Sequence, residues 1–369
     1  MDKIKNFLKD EAVLVISFAL ALVSAFFVVP DADYIGYIDF RTLGLLFCLM
    51  AVMAGFNAQG VFNKLAVALL KKVHSVRALG VTLTMLCFFL SMVITNDVAL
   101  ITFVPFTILV LKLCNKTDKM IFLVTMETVA ANLGSMLTPI GNPQNLYLFS
   151  AYDMAIGEFV LTILPYGVLS LVLILLSCLF MGSERLDTLQ MIEQAQTPKI
   201  TNCIIYAVLF VLSLLTVLRV VSFVVTLCVT VVVVLIFDAK NFKRVDYSLL
   251  FTFVFLFVFI GNLGRIGAVS EFLQNIINGR EVVVGILASQ VFSNVPAALL
   301  LSGFTDNAHG LLIGVNLGGL GTLIASMASL ISFKFVAKES ISTPKYIGVF
   351  TVINVVFLVL NFVMFIFSR

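Results

Sequence analysis

No tryptophan occurs in the 369 residues, histidine occurs twice, and only 12% of positions are Asp, Glu, Lys or Arg. So little charge cannot cover a soluble surface. With 61% apolar residues and a mean hydropathy of +1.14, the chain is expected to be an all-α polytopic membrane protein. His74 and His309 stand alone and near loops, so they suggest no metal site. Cys48, Cys87, Cys114, Cys178, Cys203 and Cys228 lie in or beside apolar runs without paired or metal-type spacing, and read as small buried residues. There is no HExxH motif, no Gly-rich nucleotide loop and no nucleophile–base pair, which argues against an intramembrane hydrolase and against an enzyme in general. Nothing implies a cofactor or a nucleic-acid partner. Without tryptophan, Tyr34, Tyr37, Tyr152, Tyr247 and Tyr346 are left to anchor the membrane interfaces.

What the chain has instead is apolar segments, at about 12–29, 41–59, 118–148, 159–181, 200–217, 221–237, 247–264, 307–334 and 345–367, which predict nine crossings. The first lacks a small-residue cleavage site and reads as a retained span. Two pairs of apolar arms lie between them, 77–94 with 98–113 and 281–292 with 296–304. The second pair has arms of 12 and 9 residues. As helix these reach about 18 and 14 Å, too short for a hydrocarbon core of about 30 Å, so this hairpin is expected to be re-entrant. The longer first pair could nearly cross.

Basic residues set the expected orientation. Lys3, Lys5 and Lys9, then Lys64, Lys71, Lys72 and Arg77, then Lys112, Lys116 and Lys119, then Arg185 and Lys199, then Lys240, Lys243 and Arg244, then Lys334, Lys338 and Lys345 fall on alternate loops. That set predicts a cytoplasmic N-terminus and an outside C-terminus, in what is expected to be a bacterial inner membrane. Residues 1–40 form an N-terminal span. Residues 41–181 form a first repeat, with hairpin 77–113 and broken helix 118–148. A cytoplasmic linker (182–198) leads to a second repeat, 199–369, with hairpin 281–304 and broken helix 307–334.

The repeat rests on matched motifs. NLGSMLTPIG (132–141) and NLGGLGTLIA (316–325) agree at five of ten positions. Upstream of each lies a polar-tipped hairpin, VITNDVA (93–99) and VFSNVPA (291–297), which pairs Thr95 with Ser293 and Asn96 with Asn294. Because the two hairpins would enter from opposite sides, the repeats are expected to be inverted, with a transport site where the broken segments meet.

Gly134, Pro139, Gly141 and Pro143 make a continuous helix through 131–145 unfavourable. A break exposes carbonyls suited to Na⁺ and, beyond it, amide NH groups suited to an anion. Thr95, Asn96, Ser293 and Asn294 read either as structural caps or as ligand-binding groups. Asp97, faced by Val295 in the repeat, must be protonated, paired or bound to a cation at mid-membrane depth. It reads as the coupling residue for H⁺ or Na⁺, or as a helix N-cap. Glu127 reads as a second ion or proton group, or as a hydrogen-bond partner.

TNDVALITFVP, NLGSMLTPIGNPQN and SQVFSNVPAALLL together resemble the ion-transporter superfamily, most nearly the arsenite-permease-like anion permeases and more distantly the divalent anion/sodium symporters. The resemblance implies a scaffold and a moving transport domain, an elevator motion and a homodimer in the lipid bilayer. It implies one ion site, a candidate Na⁺ site at the hairpin tip, from Thr95, Asn96, Asp97 and Gly134, and a partner site from Ser293, Asn294, Gly318 and Thr322. Substrate, a small anion, would lie near Asn96, Thr138, Pro139, Asn142, Asn145, Ser293, Asn294 and Thr322. The tips read Thr-Asn-Asp and Ser-Asn-Val rather than a repeated Ser-Asn-Thr. A sodium/proton antiporter on the same scaffold and an ion channel remain as alternatives.

Overall fold

A computed structural model describes residues 11–70, 73–185, 198–339 and 341–368. Lys3, Lys5, Lys9, Lys71 and Lys72 of the basic loops, and residues 186–197 of the expected linker, lie outside the described residues. Among the described residues the regular structure is helical, with one isolated bridge, Ser75 to Arg185. Beside that bridge, the Lys116–Glu184 ion pair ties the linker's start to the loop after the first hairpin. Their mutual hydrogen bond raises the Lys116 ammonium and lowers the Glu184 carboxyl from their ordinary pKa values.

The N-terminal half comprises α1 (Ala12–Ala25), α2 (Asp33–Gly36), α3 (Phe40–Ala58), α4 (Val61–Leu70), α5 (Val76–Ile94), α6 (Asn96–Leu113), α7 (Met120–Ser135), α8 (Pro143–Ala151) and α9 (Ile156–Leu179). The C-terminal half comprises α10 (Ile200–Val217), α11 (Phe223–Asp238), α12 (Tyr247–Arg265), α13 (Gly267–Ile277), α14 (Glu281–Phe292), α15 (Asn294–Ser302), α16 (Ala308–Gly318), α17 (Met327–Val336) and α18 (Thr343–Phe367).

Among the described residues, eight helices are long and apolar enough to cross a membrane: α3, α5, α6, α9, α10, α11 with its 3₁₀ extension, α12 and α18. This is a different eight from the nine expected crossings. Both arms of the first hairpin qualify, at 19 and 18 residues. The first expected span does not, because α1 stops after 14 residues. Its chain tightens into turns at Phe26–Val28 ahead of Pro30, which pushes the preceding residue out of the helical region. α1 packs instead along α12, where Asn262 donates to Ser24 Oγ and Tyr34 Oη, both at 2.9 Å. Arg265 pairs with Asp31 at 2.7 Å, so its charge is answered within this connection.

The two interrupted segments are divided between short helices. α7 and α8 flank a non-helical stretch around Thr138–Gly141, where Pro139 and Pro143 remove donors. α16 and α17 flank a stretch without proline, which turns at Gly321 with φ +113°. The contact pattern around these segments repeats. α5 packs on α7 and α14 packs on α16, so each hairpin's first arm lies on its own half's interrupted segment. α6 packs on α17 as well as on α7, and α15 on α8 as well as on α16, so each second arm bridges its own half's interrupted segment and the other half's. Glycine permits the first of these approaches. A Cβ on Gly134 would lie 2.1 Å from the Phe88 carbonyl oxygen, and one on Gly318 would lie 2.5 Å from Ser289 Oγ.

Candidate functional site

Each hairpin turns on a single residue. α5 ends at Ile94 and α6 begins at Asn96, with Thr95 serving both ends at φ 75°, ψ 153°. Ser293 does the same between α14 and α15, at φ 72°, ψ 154°. That backbone region is almost reserved for glycine and costs about 1–3 kcal/mol for other residues. Two non-glycine residues held in it at matched positions mark both tips as constrained. Thr95 Oγ1 accepts from the Val98 amide at 3.5 Å, so Thr95 is the N-cap, and Asp97 sits half-buried in the first turn of α6.

The first tip docks on the first break. The Asn96 amide donates to the Gly141 carbonyl at 3.1 Å, and Asn96 Nδ2 donates to Asn132 Oδ1 at 3.1 Å. Thr138 Oγ1 closes the other side on the Met92 carbonyl at 2.5 Å. Carbonyls freed by the break are taken up by one side chain: Asn145 Nδ2 reaches the Ser135, Met136 and Thr138 oxygens at 3.4, 3.2 and 3.2 Å. Asn142 caps α8 through the Asn145 amide at 2.9 Å, with Pro143 at the first helical position, where its missing N–H costs nothing. Pro139 is buried within the break.

The second break uses another residue for the same task. Gln290 Nε2 donates to the Gly318 and Leu320 carbonyls, both at 2.9 Å, while its Oε1 accepts from the Thr322 amide at 3.0 Å. Thr322 itself is exposed. Ser293 Oγ lies 3.4 Å from Asn294 Oδ1, and both residues are buried.

The two breaks also exchange partners. Asn132 Nδ2 donates to Ser329 Oγ at 3.4 Å, and its Oδ1 accepts from Ser326 Oγ at 3.1 Å. In return, Asn316 Nδ2 donates to Asn145 Oδ1 at 2.7 Å, and its Oδ1 accepts from Asn142 Nδ2 at 3.3 Å. Each half's asparagine therefore binds the N-cap residue and the residue three positions on, in the first turn, that start the other half's second segment. Buried amides paired in this way avoid the desolvation cost of an unmet donor or acceptor.

A cavity of about 400 Å³ opens beside the first tip. Thr95, Asp97 and Asn142 face it from one side, Asn57 of α3 from another, and Arg244 with Asp246 from the turn before α12. The rest of its wall is apolar. Arg244 keeps only long contacts, 3.6 Å to Asp238 and 3.5 Å to Asn241 Oδ1. The N-terminal end of α8, Asn142 and Pro143, also lines the cavity, which brings the positive end of its dipole to the same region.

Of the residues singled out from the sequence, Thr95, Asp97 and Asn142 reach this cavity. Asn96, Thr138, Asn145 and Gly134 lie behind it in the docked tip and break. Ser293, Asn294, Gly318 and Thr322 belong to the second tip and are not part of its lining. Glu127 is fully buried between α6 and α7, bonded to Thr107. Ser326, Ser329, Gln290, Arg244, Asp246 and Asn57 were not assigned to the site from the sequence. Extending the hairpin alignment by a few residues would have paired Met92 with Gln290 and Ser91 with Ser289. Arg244 and Asp246 carry no local signal of their place.

Comparison with known proteins gives one family and several relatives. The citrate transporter family (CitMHS) matches residues 7–309. An uncharacterized transporter of Methanocaldococcus jannaschii is 36% identical over 300 residues, 80% of this chain and 81% of that protein. Inner membrane protein YbiR of Escherichia coli is 30% identical over 303 residues, 80% of each chain. A silicon efflux transporter of rice, LSI3, is 31% identical over 166 residues, 45% of this chain and 34% of that one.

Proposed function

The chain belongs to the citrate transporter family, and we propose on that footing that it is a secondary transporter carrying a small anion, an inorganic oxyanion or a carboxylate, with H⁺ or Na⁺ coupled through Asp97. One observation carries this reading: the cavity of about 400 Å³ in which Asp97, the α8 N-terminus and Arg244 converge. The arginine and the helix dipole supply attraction for an anion. The carboxyl supplies a group whose charge must be neutralised before an anion can share the space. A proton or a sodium ion on Asp97 does this, and it makes substrate and ion bind together.

The elevator mechanism and the inverted repeats belong to the same proposal. The crossed packing of second arms on opposite interrupted segments supports both hairpins and both breaks moving as one transport body against α3 and α10–α12. Hairpin 2, with helices of 12 and 9 residues, would be re-entrant. Arg244 lies on a loop of the basic set, so the cavity would face the cytoplasm and this arrangement would be inward-facing. Ser293, Asn294, Gly318 and Thr322 would serve the outward-facing state, with Na⁺ a candidate at the tips. A homodimer in a bacterial inner membrane would hold the scaffold still.

Counterflow in proteoliposomes tests the reading: unlabelled arsenite, silicate or citrate inside should accelerate entry of the labelled form, and acceleration by none of them would end it. A thermal-shift screen of the same anions, with and without Na⁺ across pH, identifies the coupling ion. The sodium/proton antiporter alternative draws on Asp97 and Asp246 lining one cavity with one arginine. Dye-reported proton flux driven by a sodium gradient alone, with no anion present, would favour it.

A further inference from the structure

The cavity leaves two buried acidic groups unused, Glu281 and Glu127, and Glu127 is the one inside the helical core. Glu127 is fully buried in α7, its Oε1 accepts from Thr107 Oγ1 of α6 at 2.5 Å, and its Oε2 has no hydrogen-bond partner. Two titratable groups face it from the packed elements, Cys87 of α5 and Tyr346 of α18. Both are fully buried and neither supplies a positive charge. A carboxylate so placed has no counter-charge and one unmet oxygen, which a membrane interior does not tolerate. A carboxylic acid fits: Thr107 donates to one oxygen and the free oxygen carries the proton.

The position is also wired. From the turn that carries Glu127, a polar seam runs between α7 and α17. Thr128 Oγ1 donates to Ser332 Oγ at 2.7 Å, Asn132 bonds Ser329 and Ser326, and Asn132 Oδ1 accepts from Asn96 beside Asp97. Ser326, Ser329 and Ser332 are three residues apart and so line one face of α17. This stripe begins at the residue beside Glu127 and ends at Asn96, the residue before Asp97, without a hydrogen bond to either carboxyl.

We propose that Glu127 is a second proton-binding site, separate from the cavity and joined by the α7–α17 seam to the tip that carries Asp97. The proton adds to Oε2 of the carboxylate and leaves from it. Since Thr107 sits on hairpin 1 and Glu127 on the broken segment, the proton's arrival or departure changes the strength of the bond that joins α6 to α7, which is stronger to a carboxylate than to a carboxylic acid. The inference rests on the ion-coupled carrier reading and adds a second proton to each cycle.

The test uses the full-length protein in proteoliposomes, with protons and deuterons as the only probes. Infrared difference spectra taken while pH is raised should show a carboxylic-acid carbonyl band that shifts in D₂O and disappears at alkaline pH. The band should be absent from Glu127→Gln, which keeps an acceptor for Thr107, and present in Asp97→Asn. Thr107→Val, which keeps the carboxyl, should shift its frequency, so the proposal stays testable if Glu127→Gln folds poorly. A band unchanged in Glu127→Gln or by Thr107→Val, or one that never loses its proton while the protein stays folded, overturns the proposal. Counterflow that persists without such a band would sink Glu127 alone. A titrating band in a protein that shows no counterflow would remove the carrier reading and leave the proton site.

Discussion

The two hairpin tips share a backbone and differ in chemistry. Thr95 and Ser293 agree within 3° in φ and 1° in ψ, and each tip packs against an interrupted segment whose freed carbonyls are met by an amide side chain. In the first half that amide is Asn145, carried by the break itself; in the second it is Gln290, carried by the hairpin. The first tip adds an aspartate and a cavity, while the second has Val295, buried among apolar neighbours. Geometry has been held constant while the ionisable group was confined to one side. The comparison teaches that a matched scaffold does not imply two matched ion sites.

The comparison can be broken most sharply at the aspartate. Asp97→Asn should abolish the proton or sodium dependence of uptake, while Val295→Asn, its counterpart, should leave that dependence intact; proteoliposome uptake across pH and sodium gradients reads both. Next come the close approaches. Gly134→Ala drives a Cβ into a backbone oxygen and should cost about 3 kcal/mol, whereas Gly318→Ala meets chiefly a serine side chain and should cost about 1 kcal/mol. Thermal unfolding in detergent compares them, and equal losses would contradict the difference in packing.

The capping amides should differ less. Asn145→Ala and Gln290→Ala each strand carbonyls, at about 1–3 kcal/mol apiece, but only Asn145→Ala should also weaken anion-induced thermal shifts, because it supports the α8 N-terminus at the cavity. The smallest effect is expected at the tips. Thr95→Gly and Ser293→Gly relieve the same strained backbone and should each stabilise by about 1 kcal/mol. Thr95→Gly gives back part of that gain with its cap on Val98, so its melting temperature should rise less.

Much of the helical framework could be read from the sequence. The arms 77–94 and 281–292 appear as Val76–Ile94 and Glu281–Phe292, and the first interruption falls at the Gly/Pro cluster. These features are local: apolar runs, a polar tip, and residues that cannot continue a helix. The first span was overestimated because its hydropathy continues past Ala25 while its helix does not. Of the candidate cavity's polar lining, the sequence singled out Thr95, Asp97 and Asn142, where chemistry and position coincide. Ser326 and Ser329 stand where the first segment has Asn142 and Asn145, and nothing local marks them. They became partners of Asn132 only once helices 194 residues apart were in contact. Arg244 looked like one more loop cation, and no pattern along the chain could place it beside Thr95.

The exchanged asparagine bonds also have a timetable. Asn132 enters the membrane without the serines it will pair with, which lie 194 and 197 residues further along the chain. At ribosomal speeds of about 5–20 residues per second, the wait is on the order of 10–40 s. Through that interval the N-terminal half exposes an unmet amide and the seam beside it, and Asn142 and Asn145 likewise await Asn316. The newborn half is therefore a dependent piece, and helices made late in synthesis supply the partners of the early ones.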